Sequence, residues 1–542
     1  MIKRLLTISV FLLSALSGAQ AMAAEFCGDE YYINQTLPNG SKWDMCWTYD
    51  ANQGVRYHHV FFQAPDQERR MVLYDASIAE IHVPYDDNGA RYHDVSDFGL
   101  GGDNLLNIAA SECVGGTRAY HNGQAKLCKQ ILKDGSAYRS SDNRDDLHYM
   151  KLFSVSKVGE YIYMPEWAFY SDGRMQPRMV ATGALQRFGT SGNEQHGWLM
   201  ANNTIGLSHM HNFFWRLDFD LDGTGDNDVF QELNYGASGG KRYATVNQFT
   251  TETARSVNPQ TMRSWLVKDG NTTNSKGHAI AYEIRLSEAG QREVGPDYEP
   301  FTHNDIYLTK AHDCERIASH NTRIFSCDTD NLSEYVNGES LEGQDLVSWV
   351  AVSFYHMPRS EDAPQMDAHV SKFDLIPRDW HATNPVLDYT PPVELRLTAV
   401  DDYATTYEST SVDIAVMSND TGSGLYLNTL DNPANGTSAN VNNKIRYTPD
   451  AGFTGTDVFW YSIKDSSGNV YGAKIHVTVN EGSDPGTGGG SGGNNGSVSS
   501  GGGGGAMSIP VLLLMLLGSV LVISSRTRRR FSVLRVQQRS QR

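Results

Sequence analysis

His209-Met210-His211 sets two imidazoles two residues apart, the spacing at which both point to one face of a β-strand and can share one metal ion. In the residues that follow, Phe213, Trp215, Leu217, Phe219 and Leu221 alternate with Asn212, Arg216, Asp218, Asp220 and Asp222. This period of two describes a strand whose odd positions face the core, so the histidine pair is expected inside and the carboxylates on the opposite face. Buried imidazoles need hydrogen bonds or a metal, and a same-face pair favours the metal. A metal held by two histidines requires at least a third protein ligand. His356 is the candidate, because it ends a second apolar run that starts after Asp345.

These strands belong to a β-rich stretch, residues 24–390, where aromatic and β-branched residues alternate, Gly and Asp turns are dense and long amphipathic helical patterns are lacking. The expected fold class is all-β, with one large β-sandwich here. All six cysteines fall in this stretch and form three sequence-near candidate pairs, Cys27 with Cys46, Cys113 with Cys128 and Cys314 with Cys327. Sequence alone leaves the pairing open. Their wide spacing argues against a thiolate metal site.

Residues 391–480 change character. Short segments such as Ser411 to Val416 and Val458 to Ile463 alternate with Asn-Asp, Asn-Gly and Ser-Gly turns, which predicts a second, small β-sandwich. It has no cysteine and one histidine, His476, so the chemistry is expected in the larger unit. The run from Ala399 through Ser418-Asn419-Asp420 to Tyr447-Thr448-Pro449-Asp450 resembles the cadherin-like, immunoglobulin-type modules of bacterial surface proteins.

The ends read as addresses. Residues 1–23 carry Lys3 and Arg4, then an apolar run and Ala19-Gln20-Ala21, the pattern of a secretory signal peptide. Residues 481–505 hold 13 glycines and form a flexible linker. Residues 506–525 are uncharged and mostly aliphatic, and the basic tail 526–542 opens with Arg526, Arg528, Arg529 and Arg530. That order is a transmembrane or sorting helix with a positive-inside stop, and it resembles the GlyGly-type sorting signals of Gram-negative bacteria. The expectation is an exported protein, at the cell surface, in the periplasm or secreted after C-terminal processing, otherwise anchored by one span. Membrane contact is expected only through that helix. A net charge of -18 disfavours nucleic acid, whose phosphates need a basic surface.

Further motifs join the histidines. Ser77-Ile78-Ala79-Glu80-Ile81-His82-Val83-Pro84-Tyr85, Tyr92-His93-Asp94-Val95-Ser96-Asp97-Phe98-Gly99 and Gly159-Glu160-Tyr161-Ile162-Tyr163 precede the pair, and His356 is followed by Pro358-Arg359-Ser360-Glu361-Asp362. In this order, over about residues 43–380, the set resembles the catalytic domain of the copper amine oxidases. The resemblance implies copper on His209, His211 and His356, and conversion of Tyr161 to topaquinone, the Schiff-base former. It further implies Asp94 as proton acceptor, Tyr85 as hydrogen-bond partner of the quinone, and Asp218 with Asp345 as a peripheral calcium site. Cys113 and Cys128 lie where that family has a disulfide. The implied reaction turns primary amines and O2 into aldehydes, ammonia and hydrogen peroxide, in a homodimer. The family has Asn where this chain has Glu160. A protein that keeps the metal without making quinone, and serves surface adhesion, is the alternative; it would be colourless with Tyr161 unmodified. A zinc hydrolase is a third reading, which would show bond cleavage without peroxide.

Overall fold

The computed structural model describes residues 23–482 apart from 189–191, 239–240, 288–291, 293, 388–397, 423 and 467. The signal-peptide, linker, C-terminal-helix and basic-tail expectations therefore lie outside the described residues. Among the described residues no helix is long and apolar enough to cross a membrane. The chain divides into two compact units, residues 1–391 and 392–542.

In the first unit two large sheets pack face to face. The nine-stranded sheet runs in the order Tyr32–Thr36, Lys42–Asp50, Gly54–Gln63, Arg70–Pro84, His209–Phe219, Leu346–His356, Ile306–Lys310, Thr253–Arg255, with Arg91–His93 added beside Arg70–Pro84. The facing sheet has twelve strands, among them Tyr161–Tyr170 beside Met175–Gly183, which in turn pairs with Met366–Lys372. Trp215 meets Trp167 edge to face across the gap at 5.7 Å, and Trp43 packs on Phe169 at 5.1 Å. Truncating a ring in such a core costs about 3–5 kcal/mol.

The alternation read from the sequence holds for the odd face of His209–Phe219, but the even face is not solvated: all eleven residues of the strand are buried. The strand is central, between Arg70–Pro84 and Leu346–His356, and its outer face is covered by a second cluster in which Phe214, Trp349, Tyr335 and Phe301 pack together. Asp218, read as a residue of the polar face, is 4% exposed. Three disulfides, Cys27–Cys46, Cys113–Cys128 and Cys314–Cys327, close short loops. Each restricts the unfolded chain, which for loops of this size is worth about 3 kcal/mol.

In the second unit a four-stranded sheet, which includes the parallel pair Asp402–Tyr407 and Val470–Asn480, accompanies a three-stranded one. Its core is Tyr447, Phe459, Tyr461, Ile463, Ile475 and Val477. His476 stacks on Tyr403 rather than joining a cluster of ligands.

Candidate active site

Antiparallel register brings the three histidines together. His209 lies opposite His356, and His211 opposite Phe354. The ring centroids of His209 and His211 are 4.9 Å apart, those of His209 and His356 5.0 Å. Burial drives His209 to about 3 and His211 well below the usual histidine range, and it lowers His356 as well. All three are thus neutral near pH 7 and keep a lone pair.

The partners of each ring show where those lone pairs point. His209 Nδ1 sits 3.0 Å from the Leu207 carbonyl and must donate there, so Nε2 accepts from the Tyr161 hydroxyl at 2.7 Å. His356 Nε2 is 3.0 Å from the Asp362 carboxylate and donates to it, which leaves Nδ1 unpartnered. Neither nitrogen of the fully buried His211 has a hydrogen bond. Unpartnered nitrogens on His211 and His356, with a His209 lone pair that meets only the Tyr161 hydroxyl and one ring oriented by a carboxylate, are the donor set of a nitrogen-rich metal site. The residues present fit copper.

Tyr161 comes from the facing sheet, where it pairs with Gly183. A Cβ at position 183 would lie 2.5 Å from the Glu160 carbonyl oxygen and 2.9 Å from the Tyr161 Cα, so this approach requires glycine. Burial first, then Tyr85, Asp362 and Asp94, hold the Tyr161 phenol far above its usual range. The phenol is protonated, and only a cation at the imidazoles would reverse that balance.

Tyr85 and Asp94 close the site. Tyr85 bridges to His209 in backbone register and stacks on its ring at 4.7 Å, and its hydroxyl interacts with that of Tyr161. Asp94 follows the short strand Arg91–His93 and begins a single wide π-helical turn, Asp94–Phe98. Its Oδ2 accepts from the Tyr163 hydroxyl at 2.7 Å. Burial raises the Asp94 carboxyl to about 7, against the pull of that hydrogen bond. Tyr85, Tyr92, Asp94, Phe98, Glu160 and Tyr161 line a cleft of about 180 Å³. Glu160 is exposed at this cleft.

Fold comparison identifies this architecture. The structure of a copper-containing benzylamine oxidase from Hansenula polymorpha superposes with a TM-score of 0.56 at 19% identity, over 65% of this chain and 62% of that one. An Aspergillus nidulans amine oxidase gives 0.55 over 64% and 52%. The large unit has the copper amine oxidase fold. The family described as "Copper amine oxidase, enzyme domain" matches residues 138–396, and "Bacterial Ig domain" matches 390–478. In sequence, the chain is similar to the primary amine oxidase of Lens culinaris, 24% identical over 412 residues, 67% of this chain and 62% of that protein. It is also 24% identical to the primary amine oxidase of Klebsiella aerogenes over 415 residues, 66% of this chain and 54% of the other. The chain thus spans roughly half to three fifths of the length of the curated relatives it matches.

Within this copper amine oxidase fold the structure gathers Tyr85, Asp94, Tyr161, His209, His211 and His356, and leaves Asp218 and Asp345 elsewhere. Asp218 stands nine residues along the strand from His209, about 30 Å away at strand spacing. There Asp218, Asp220 and Asp345 offer carboxylate oxygens within 4.8 Å of one another. Asp218 Oδ1 and Asp220 Oδ1 have no hydrogen bond. Gly225 lies so close that a Cβ would sit 2.2 Å from Asp220 Oδ1.

Three residues were missed by sequence reasoning. His369 packs on Phe354 at 3.7 Å and reaches within 5.4 Å of the His211 ring, with neither nitrogen hydrogen-bonded. It sits on the short strand Met366–Lys372 in an Asp-Ala-His-Val context that carries no periodic signal. Tyr163 and Asp362 lay inside the motifs but were given no role; the two-residue step from Tyr161 to Tyr163 is the signal that could have placed Tyr163 on the same face.

Proposed function

We propose that this protein oxidises primary amines to aldehydes with a copper ion and a quinone made from Tyr161, releasing ammonia and hydrogen peroxide at the expense of O2. The carrying observation is the Tyr161 hydroxyl at 2.7 Å from His209 Nε2, set between a neutral imidazole cluster and a carboxyl near pKa 7. Copper with the quinone would supply a carbonyl that condenses with the amine and a two-electron sink that the amine fills and oxygen empties.

The chain's own groups do the rest. His209, His211 and His356 hold the ion, and Asp362 orients His356 by accepting its Nε2 proton. Asp94 takes the proton from the substrate α-carbon. A base near pKa 7 matches neutral pH, and Tyr163 fixes Oδ2 so that the other oxygen is left to receive the proton. Tyr85 positions the ring through its hydroxyl. Glu160 faces water, and this supports quinone formation despite the exchange for Asn.

Asp218, Asp220 and Asp345 form a peripheral calcium site on this reading: the donors are hard oxygens, two of them unpaired. Three disulfides support an exported protein, since such bonds persist in oxidising compartments. A homodimer is expected from the family likeness.

Phenylhydrazine tests the reading. The full chain, expressed with copper under air, should give a visible hydrazone band with the label on the Tyr161 peptide. A copper-loaded protein with unlabelled Tyr161 would sink the oxidase and leave a metal-binding surface protein.

A further inference from the structure

A second group of ligand atoms lies in the interior behind the cleft. His82, on Arg70–Pro84, stands opposite His93 of Arg91–His93, with ring centroids 4.9 Å apart. Glu299 reaches them from the turn before Pro300. Its Oε2 is 3.3 Å from His82 Nε2 and its Oε1 3.8 Å from His93 Nε2. The three residues are 0%, 6% and 5% exposed, and one ligand atom from each lies within 4.8 Å of the others. Glu299 is the one polar contact of His82 Nε2 among the described residues, and His93 Nδ1, the ring nitrogen that does not face Glu299, has no hydrogen bond.

Buried nitrogens with nothing to bond are uncommon in a packed interior. Here His82 Nε2 adjoins a carboxylate oxygen at 3.3 Å, which matches the edge of a tetrahedron around zinc, about 3.3 Å for bonds of 2.0–2.1 Å, and His93 brings its Nε2 to 3.8 Å from the other oxygen. The surroundings resemble those that hold ligands in place. Arg91 donates to Glu299 Oε2 at 2.7 Å, which leaves Oε1 to face His93. His82 Nδ1 is 3.2 Å from the Asn212 side-chain amide, whose other end meets the Ser353 hydroxyl at 2.7 Å. A hydroxyl both donates and accepts, so the amide can turn its oxygen to a protonated Nδ1 and free Nε2 for a metal. Phe301 packs against both imidazoles, and the part-buried His320 ring lies 4.5 Å from that of His93, on the side open to solvent.

We propose that His82, His93 and Glu299 bind one divalent transition-metal ion of the zinc type, with water as the fourth ligand, in a site distinct from the copper centre. Two imidazoles to one carboxylate disfavour calcium and magnesium, which take oxygen donors. The ion ties the short strand that leads into Asp94 to the Pro300 turn, and so fixes the base from behind. The site does not depend on quinone chemistry.

Metal counting tests it. The full chain is loaded with copper, supplied with calcium to fill the acidic cluster, exposed to zinc and freed of loose ions by gel filtration. One copper and one zinc per chain are expected. Glu299→Gln and His82→Asn should each lower zinc at least tenfold while copper stays at one. Cobalt in place of zinc should give the intense visible bands of a four-coordinate ion in the unaltered chain and not in the variants. No zinc in the unaltered chain overturns the proposal without reference to any variant's folding. Zinc retained in folded Glu299→Gln overturns it as well. Loss of copper itself would instead count against the oxidase reading.

Discussion

The two faces of the His209–Phe219 strand are equally buried and do opposite things with charge. On the odd face, His209 and His211 sit among Tyr161, Phe213 and Trp215, and burial strips their protons. On the even face, Arg216 lies 3.6 Å from Asp75, whose buried carboxyl Arg316, Arg56 and Arg216 hold below its usual range, so charge is retained by pairing. Desolvation alone therefore does not make a reactive centre. What differs is whether the buried group is allowed a permanent partner. The odd face withholds one from His211 and gives His209 Nε2 only a phenol, which leaves lone pairs for a metal; most of the even face supplies one, and only its acidic end is left short.

The largest effect should come from removing the hydroxyl that bonds into this set. Tyr161→Phe should abolish both turnover and the phenylhydrazine band while copper binding persists; any remaining band would place the quinone elsewhere. Asp94→Asn comes next, with kcat/KM lowered by about 10²–10⁴-fold, the range for loss of a general base. The unaltered chain should lose rate as pH falls through about 7, because Asp94 is raised to that value by burial and only its ionised form accepts a proton. A rate flat from pH 8 to 5 would remove Asp94 from the base role.

Asp362→Asn tests the carboxylate partner near the odd face. Without the carboxylate on its Nε2, His356 loses its orienter, and copper affinity should fall about 10–100-fold. Equilibrium dialysis against a copper buffer would show it, and unchanged affinity would mean that packing alone orients the ring.

The smallest effect is on the even face. Burial, then Asp345 against the pull of Arg216, lifts Asp218 to about 7; burial, then Asp345 and Asp218, lifts Asp220 to about 8. These folded values exceed those of the unfolded chain, so without a cation the folded state binds more protons. Stability then falls as pH rises from about 4 through 8. Calcium should cancel that loss, raising Tm by a few degrees at pH 8 and little at pH 5, and Asp218→Asn should abolish the difference. A calcium shift equal at both pH values would place the ion at other residues.

Much of the odd face was legible in sequence because strand alternation is local: His209, His211 and the apolar residues after them share one side by period alone. The even face was misjudged for the opposite reason. What covers it, Tyr335 and Phe301, comes from irregular segments far along the chain, and alternation cannot report a second layer. Glu299 was invisible on the same ground, since its closeness to His82 is a contact across 217 positions without periodic pattern. The motif order was enough to gather Tyr85, Asp94 and Tyr161, whereas His369 lay in no motif.

Glu160 at the cleft has a further consequence. A fixed negative charge there draws in alkylammonium ions, which is how amines travel at neutral pH. The same field makes each arrival hold its proton more tightly, although only the free amine can attack a carbonyl. On the amine-oxidising function proposed above, capture and activation are set against each other by one side chain, and the entrance acts as a tax on the most easily caught amines. Asn in its place would lift the tax and weaken the catch.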